Sequence, residues 1–283
     1  SGEVLTGLRQ YGYSKDHKPN PLVEMGLFMD INGIPISMCI TPGNTSEQNT
    51  AIPLEKELVK MFGEGKNKFI YCADAGLSSY HIRNFNSMGG RAFVVTQSVK
   101  KLSDVLKQAV FNDCDYRLLS DDSPVSIEAL KTFDKKEEKN RSLYIDKAYK
   151  IIEANTLLDV GLYEEKLLKN GKTRKVKSKG VLKQHVIITF SRKSIEYQRF
   201  IRNRQIGRAQ KILDTMDPDQ YKKGPNDVTR FIRKTKEADE KYELDIEKIR
   251  EEEKYDGFYA IATNLDDCVK DILAINEQRY QIE

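Results

Sequence analysis

At 283 residues with 39% hydrophobic side chains, the chain can bury one sizeable core and part of a second, so a large domain with an insertion or two domains is expected. The 47 Lys plus Arg against 43 Asp plus Glu leave a net charge of +4, too small to name a partner class, so the distribution of charge matters more than its sum. No run approaches the roughly 18 to 20 apolar residues of a membrane span and no charged-then-apolar leader is seen, which predicts a cytoplasmic protein. Cys39, Cys72, Cys114 and Cys268 lack metal or redox spacing and read as buried reduced thiols.

The first twenty residues are polar and rich in tyrosine, and Tyr11 to Asn20 reads as an ordered loop. Leu22 to Ile31 and Ile34 to Thr41 are apolar runs joined by Asn32-Gly33, a strong hairpin signal. Pro42 to Glu47 is a turn able to cap a helix from about Asn49, stopped by Gly63-Glu64-Gly65. Phe69 to Ala73 predicts a short buried strand, Leu77 to Met88 a helix, Gly89-Gly90 a stop, and Ala92 to Thr96 another strand. Ser78 and Ser79 are expected to cap that helix.

From about residue 98 to 254 the composition becomes charged and lysine-rich, which predicts an insertion domain. Within it, 148 to 160 and 185 to 190 have strand character, 191 to 213 reads as a helix, and 230 to 254 as a solvated helix of alternating charge. Phe258 to Thr263 restores a buried strand, and Asp266 or Asp267 is placed to start a final helix. On that helix Asn276, Arg279 and Glu283 share one side, while Val269, Ile272, Leu273 and Tyr280 form much of another.

Two basic stretches are candidates for nucleic-acid contact. In 192 to 208, Arg192, Arg199 and Arg202 can share one side of a helix and meet phosphates. In 166 to 183, Asn170-Gly171 suggests a hairpin tip that presents Lys172 and Lys175. For both, a solvated surface is an equal reading. His17, His81 and His185 are too scattered for a zinc site.

Taken together, the blocks Tyr11-Gly12-Tyr13-Ser14-Lys15-Asp16, Gly33-Ile34-Pro35-Ile36, Pro42-Gly43-Asn44-Thr45-Ser46, Ala73-Asp74-Ala75-Gly76-Leu77 and Arg279-Tyr280-Gln281-Ile282-Glu283 resemble those of bacterial insertion-sequence DDE transposases. The similarity is to the branch whose last catalytic block runs Tyr, two residues, Arg, three residues, Glu, six residues, Lys. It implies an α/β, RNase H-like mixed sheet flanked by helices and interrupted by a mixed α+β insertion domain. The implied divisions are 1–97 and 255–283 for the core and 98–254 for the insertion.

Carried over to this sequence, the resemblance makes Asp74 and Glu283 catalytic metal ligands and Arg279 the signature arginine. The signature Tyr position holds Asn276, and the signature Lys would fall beyond Glu283. The family's first Asp precedes the Tyr-Gly-Tyr-Ser block, and neither Asp16 nor Asp30 is suited to replace it. An inactive fragment of a longer enzyme is therefore expected. The resemblance further implies two Mg²⁺ ions, replaceable by Mn²⁺, double-stranded DNA as substrate and target, and a homodimer assembled on DNA. Another RNase H-like nuclease, or a non-catalytic DNA-binding remnant, is the alternative reading.

Overall fold

The computed structural model describes residues 7–12, 20–63, 69–215, 218, 221, 227–235 and 242–282. In chain order its elements are β1 (Val23–Met29), β2 (Pro35–Pro42), α1 (Glu47–Phe62), β3 (Phe69–Ala73), α2 (Tyr80–Phe85), β4 (Arg91–Thr96), α3 (Asp104–Phe111) and β5 (Arg117–Leu118). There follow α4 (Ile127–Thr132), α5 (Arg141–Ile145), β6 (Ala148–Glu153), β7 (Tyr163–Leu167), β8 (Thr173–Lys177), β9 (His185–Phe190) and α6 (Arg192–Thr215). The chain then forms β10 (Ile232–Lys234), β11 (Tyr242–Leu244), α7 (Ile246–Glu253), β12 (Phe258–Thr263) and α8 (Val269–Ile282). The fold is mixed α/β, with a mixed sheet flanked by helices.

Strand order in the main sheet is β3-β4-β12-β9-β6-β5, and the pairs β1-β2, β7-β8 and β10-β11 form three separate ribbons. Two compact units account for the chain. The first comprises Ser1–Asn112, Lys150–Ile188 and Tyr259–Glu283, and the second Asp113–Tyr149 and Thr189–Phe258. Of the expected 98–254 insertion, residues 98–112 and 150–188 thus fall in the first unit.

In the first unit, β1 and β2 pair in the register Met25↔Ile40 and Leu27↔Met38. Asp30 shapes their turn: its Oδ1 accepts from the backbone N–H of Asn32 and of Ile34, both at 2.8 Å, and Gly33 takes φ 79°. The bond from Ile34 holds the Asp30 carboxyl below its ordinary value, as suits a turn residue. Gly63, at φ 81°, ends α1, where only glycine adopts the left-handed region without strain. β3 and β4 run parallel with Ala73 opposite Val95, and β12 pairs antiparallel to β4. Ala92 to Val95 are all buried, the pattern of a strand covered on both faces.

One sequence expectation changes here. The strand from 148 stops at Glu153, because 154 to 162 turn back on themselves: Asp159 Oδ2 accepts from Thr156 N at 2.9 Å, and Gly161 takes φ 68°. The hairpin suggested by Asn170-Gly171 is present as the β7-β8 ribbon, with Leu168 N donating to Lys172 O at 2.7 Å across the tip.

The second unit is built on α6. Ala209 and Ile212 pack with Val228, Phe231 and Ile249, and Ile232 and Leu244 join from the β10-β11 ribbon. The predicted solvated helix over 230–254 is therefore two short strands followed by α7, since burying Phe231, Ile232 and Leu244 outweighs the helical charge pattern. Asp245 caps α7 by accepting from Lys248 N at 2.9 Å. The thiols are less sheltered than expected: Cys39 and Cys72 are half-buried, Cys114 and Cys268 exposed, and all four are unbridged.

Candidate functional site

Asp74 directly follows β3 and is exposed at its carboxyl end. Its Oδ1 accepts from Gly76 N at 2.8 Å and Leu77 N at 3.1 Å, which folds the loop back under the carboxylate. Gln48 of α1 fixes the same loop by donating to Gly76 O at 2.8 Å. A Cβ on Gly76 would lie 3.1 Å from Asp74 Oδ1, so glycine lets the loop pass this close.

α8 reaches the same end of the sheet. It follows the corner where Asn264 Oδ1 accepts from Phe93 N at 2.9 Å, near the start of β4. Twelve residues past that corner, buried Asn276 donates to the Tyr259 hydroxyl at 3.3 Å, and that hydroxyl is 2.8 Å from Thr96 Oγ1 at the end of β4. Because Val95 pairs with Ala73, Thr96 and Asp74 stand at equal height. Along β3, the Cys72 thiol donates to Ile275 O at 3.7 Å. Burial pushes that thiol up to about 11, and the Arg279 charge opposes the rise. Arg279 thus lies within electrostatic reach of β3, two residues before Asp74. Glu283, the second expected metal ligand, and Asp16 lie outside the described residues.

Sequence reasoning missed three buried groups beside this loop. Arg83 is 1% exposed, and its partners are neutral oxygens: Ser78 O at 3.0 Å, Gln184 Oε1 at 3.1 Å and Gln97 Oε1 at 2.8 Å. Burial pushes its guanidinium down to about 9. Gln97 continues the network by donating to Val160 O at 3.1 Å. Glu55 of α1 is fully buried and accepts from Asn86 Nδ2 at 3.0 Å. Burial raises its carboxyl to about 7, against the opposing effects of Asn86 and Arg91. Tyr71 is raised too, first by burial and then by the charges of Glu55 and Asp74. Serines 78 and 79 do not cap α2: Ser79 makes no side-chain cap bond, and Ser78 Oγ donates back to Ala75 O at 3.0 Å.

A cavity of about 640 Å³ borders the Asp74 loop at Ala75 and Gln48. Its lining includes Arg83, Lys100, Lys101, Lys107, Lys175 and Lys177, against a single carboxylate, Asp104. Of the predicted DNA contacts, Lys175 lines this cavity, and Lys172 lies exposed at the ribbon tip.

The α6 arginines behave differently. Arg202 is 6% exposed and grips Asp256 through Nη1 at 2.5 Å and Nη2 at 2.7 Å. Seven-residue spacing puts it on the buried stripe Ile195, Arg202, Ala209, which is why it cannot share an outward row. Arg192 donates to the Lys131 carbonyl and lies 3.6 Å from Glu196, while half-exposed Arg199 reaches Asp256 at 3.4 Å.

Compared with protein-family models and with curated proteins, the chain matches none. Any functional reading therefore rests on the residues themselves. Among the described residues no group of three His, Cys, Asp or Glu side chains is placed to hold a metal ion, and no helix is long and apolar enough to cross a membrane.

Proposed function

We propose that this chain is a catalytic-domain portion of a bacterial insertion-sequence DNA transposase, with phosphodiester hydrolysis and strand transfer directed at the Asp74 end of an RNase H-like core. The observation that carries the reading is the common height of Asp74, Thr96 and Asn276: a strand-end carboxylate and an α8 polar side chain meet the same edge of the sheet. Arg279 near Cys72 and the lysine-lined cavity beside Ala75 add positive charge where a DNA backbone would pass.

The described donors fit a divalent cation only in part. Asp74 offers one carboxylate, and both hydrogen bonds that reach it fall on Oδ1. In the reading offered here, Asp74 holds Mg²⁺ or Mn²⁺ with Glu283 and further carboxylates. Such ions, when bound, activate an attacking oxygen and stabilise the leaving one. The chain's own part is to orient: the Gly76 and Leu77 amides fix Asp74, and Gln48 fixes the loop. Double-stranded DNA, a homodimer on that DNA and a cytoplasmic setting belong to the same reading.

Mn²⁺ binding, followed by electron paramagnetic resonance on the chain and on Asp74→Asn, tests it without requiring turnover. Weakened binding in the variant supports the assignment. Equal binding in both removes Asp74 from the metal site and leaves a non-catalytic DNA-binding protein as the reading to pursue.

A further inference from the structure

The cavity beside the Asp74 loop carries more than general positive charge. Six cationic side chains line it against one carboxylate, and Asp104 is already 3.2 Å from Lys107 Nζ. Arg83 on its lining is held rigidly by neutral acceptors, so its charge is not cancelled by any of its hydrogen-bond partners. Lys175 and Lys177 alternate along β8, which sets them on one face about 6.6 Å apart. That spacing resembles the separation of successive phosphates on an extended nucleic-acid strand. Tyr163 stands opposite Lys177 in the ribbon register and lines the cavity too, as does Tyr80.

We propose that this cavity binds a single-stranded stretch of nucleic acid, with the lysines facing its phosphates, buried Arg83 adding positive charge from beneath, and Tyr163 stacking on an unpaired base. A basic groove joined to an aromatic side chain is the chemistry of strand binding without sequence reading, and a stacked duplex offers no free base face to Tyr163. That the bound strand leads toward Asp74 rests on the phosphodiester reading above. The anion-binding character of the cavity does not.

Fluorescence anisotropy on the full chain decides the matter, using a labelled oligothymidylate of about ten nucleotides, a duplex of equal length, and tripolyphosphate as competitor. The single strand should bind tighter than the duplex. Lys175→Glu with Lys177→Glu should weaken it at least about tenfold and flatten its salt dependence, with Lys254→Glu, exposed just after α7, as an unaffected control. Tyr163→Ala should weaken the oligonucleotide severalfold and leave tripolyphosphate inhibition unchanged.

Unchanged affinity in the double variant overturns the site. Duplex binding equal to single-strand binding overturns the strand assignment, and so does tripolyphosphate binding without oligonucleotide binding. The anisotropy titrations are run without divalent cations, so loss of the metal reading and loss of this one are separately visible.

Discussion

Asn276 on α8 and Tyr259 on β12 are joined at 3.3 Å by an amide-to-hydroxyl hydrogen bond that continues to Thr96. This short chain pins the helix to the sheet at the height of Asp74. It therefore fixes which helical turn faces the strand end, and Arg279 follows within the next turn.

Asp74 has two separable roles, one structural and one chemical. Asp74→Ala removes the acceptor for two backbone N–H groups and should cost about 0.5–2 kcal/mol in urea unfolding, as loss of a capping side chain does. Asp74→Asn keeps an oxygen for those amides, so it should unfold like the parent yet lose Mn²⁺ affinity. A stable asparagine variant with intact metal binding would contradict the assignment.

Glu55 should make stability fall with pH. Its carboxyl titrates near 4.5 when unfolded and about 7 when folded, so between those values the native state holds a proton that the unfolded state has lost. This contribution is fully present below pH 4.5 and declines by roughly 1.4 kcal/mol per unit until about pH 7. Glu55→Gln should abolish the slope and stabilise the protein above neutrality, since Asn86 Oδ1 is buried without a hydrogen-bond partner and can accept from the new amide. Denaturant melts at several pH values read this directly.

Arg202 and Asp256 form a buried bidentate pair. Arg202→Met should destabilise by about 3 kcal/mol, because it leaves the buried Asp256 carboxylate with only the half-exposed Arg199 at 3.4 Å. Asp256→Asn in the same chain should recover part of the loss. DNA affinity of folded Arg202→Met should equal that of the parent, which gel-shift titration can check.

Two glycines should respond oppositely to alanine. Gly161 sits at φ 68°, and a Cβ there would lie 2.4 Å from Lys101 O, so Gly161→Ala should cost more than the roughly 1–2 kcal/mol of the left-handed conformation alone. Gly207 lies inside α6 with open space around its Cβ position, and Gly207→Ala should stabilise by about 0.5–1 kcal/mol. Paired urea titrations separate the two.

The elements that sequence pattern specified well are those whose signal is local. Asn32-Gly33 with Asp30 makes the hairpin, and the apolar runs 69–73, 185–190 and 258–263 are strands because each is too short for a helix and buried throughout much of its length. Asp74 at a strand end could be read from the apolar run Phe69 to Ala73 that precedes it. What pattern could not supply was pairing over long separations. Arg83 and Glu55 look like ordinary charged positions on helices, and their burial depends on Gln97, Gln184 and Asn86 arriving from elsewhere in the chain. Arg202 misled for the same reason: its partner Asp256 is 54 residues away. The lysines of β8 were legible as a basic hairpin, but the cavity they line needs 96–107 and 158–163 beside them.

Arg83 ties together segments that share no continuous strand or helix: the loop at Ser78, the turn at Gln97 and the approach to β9 at Gln184. None of the three can swing into water without exposing the guanidinium's other acceptors, so their amides should exchange with deuterium as one cooperative block. The floor beneath the Asp74 loop then behaves as a latch that is shut or open as a whole, and a breathing motion confined to one of the three segments is disfavoured.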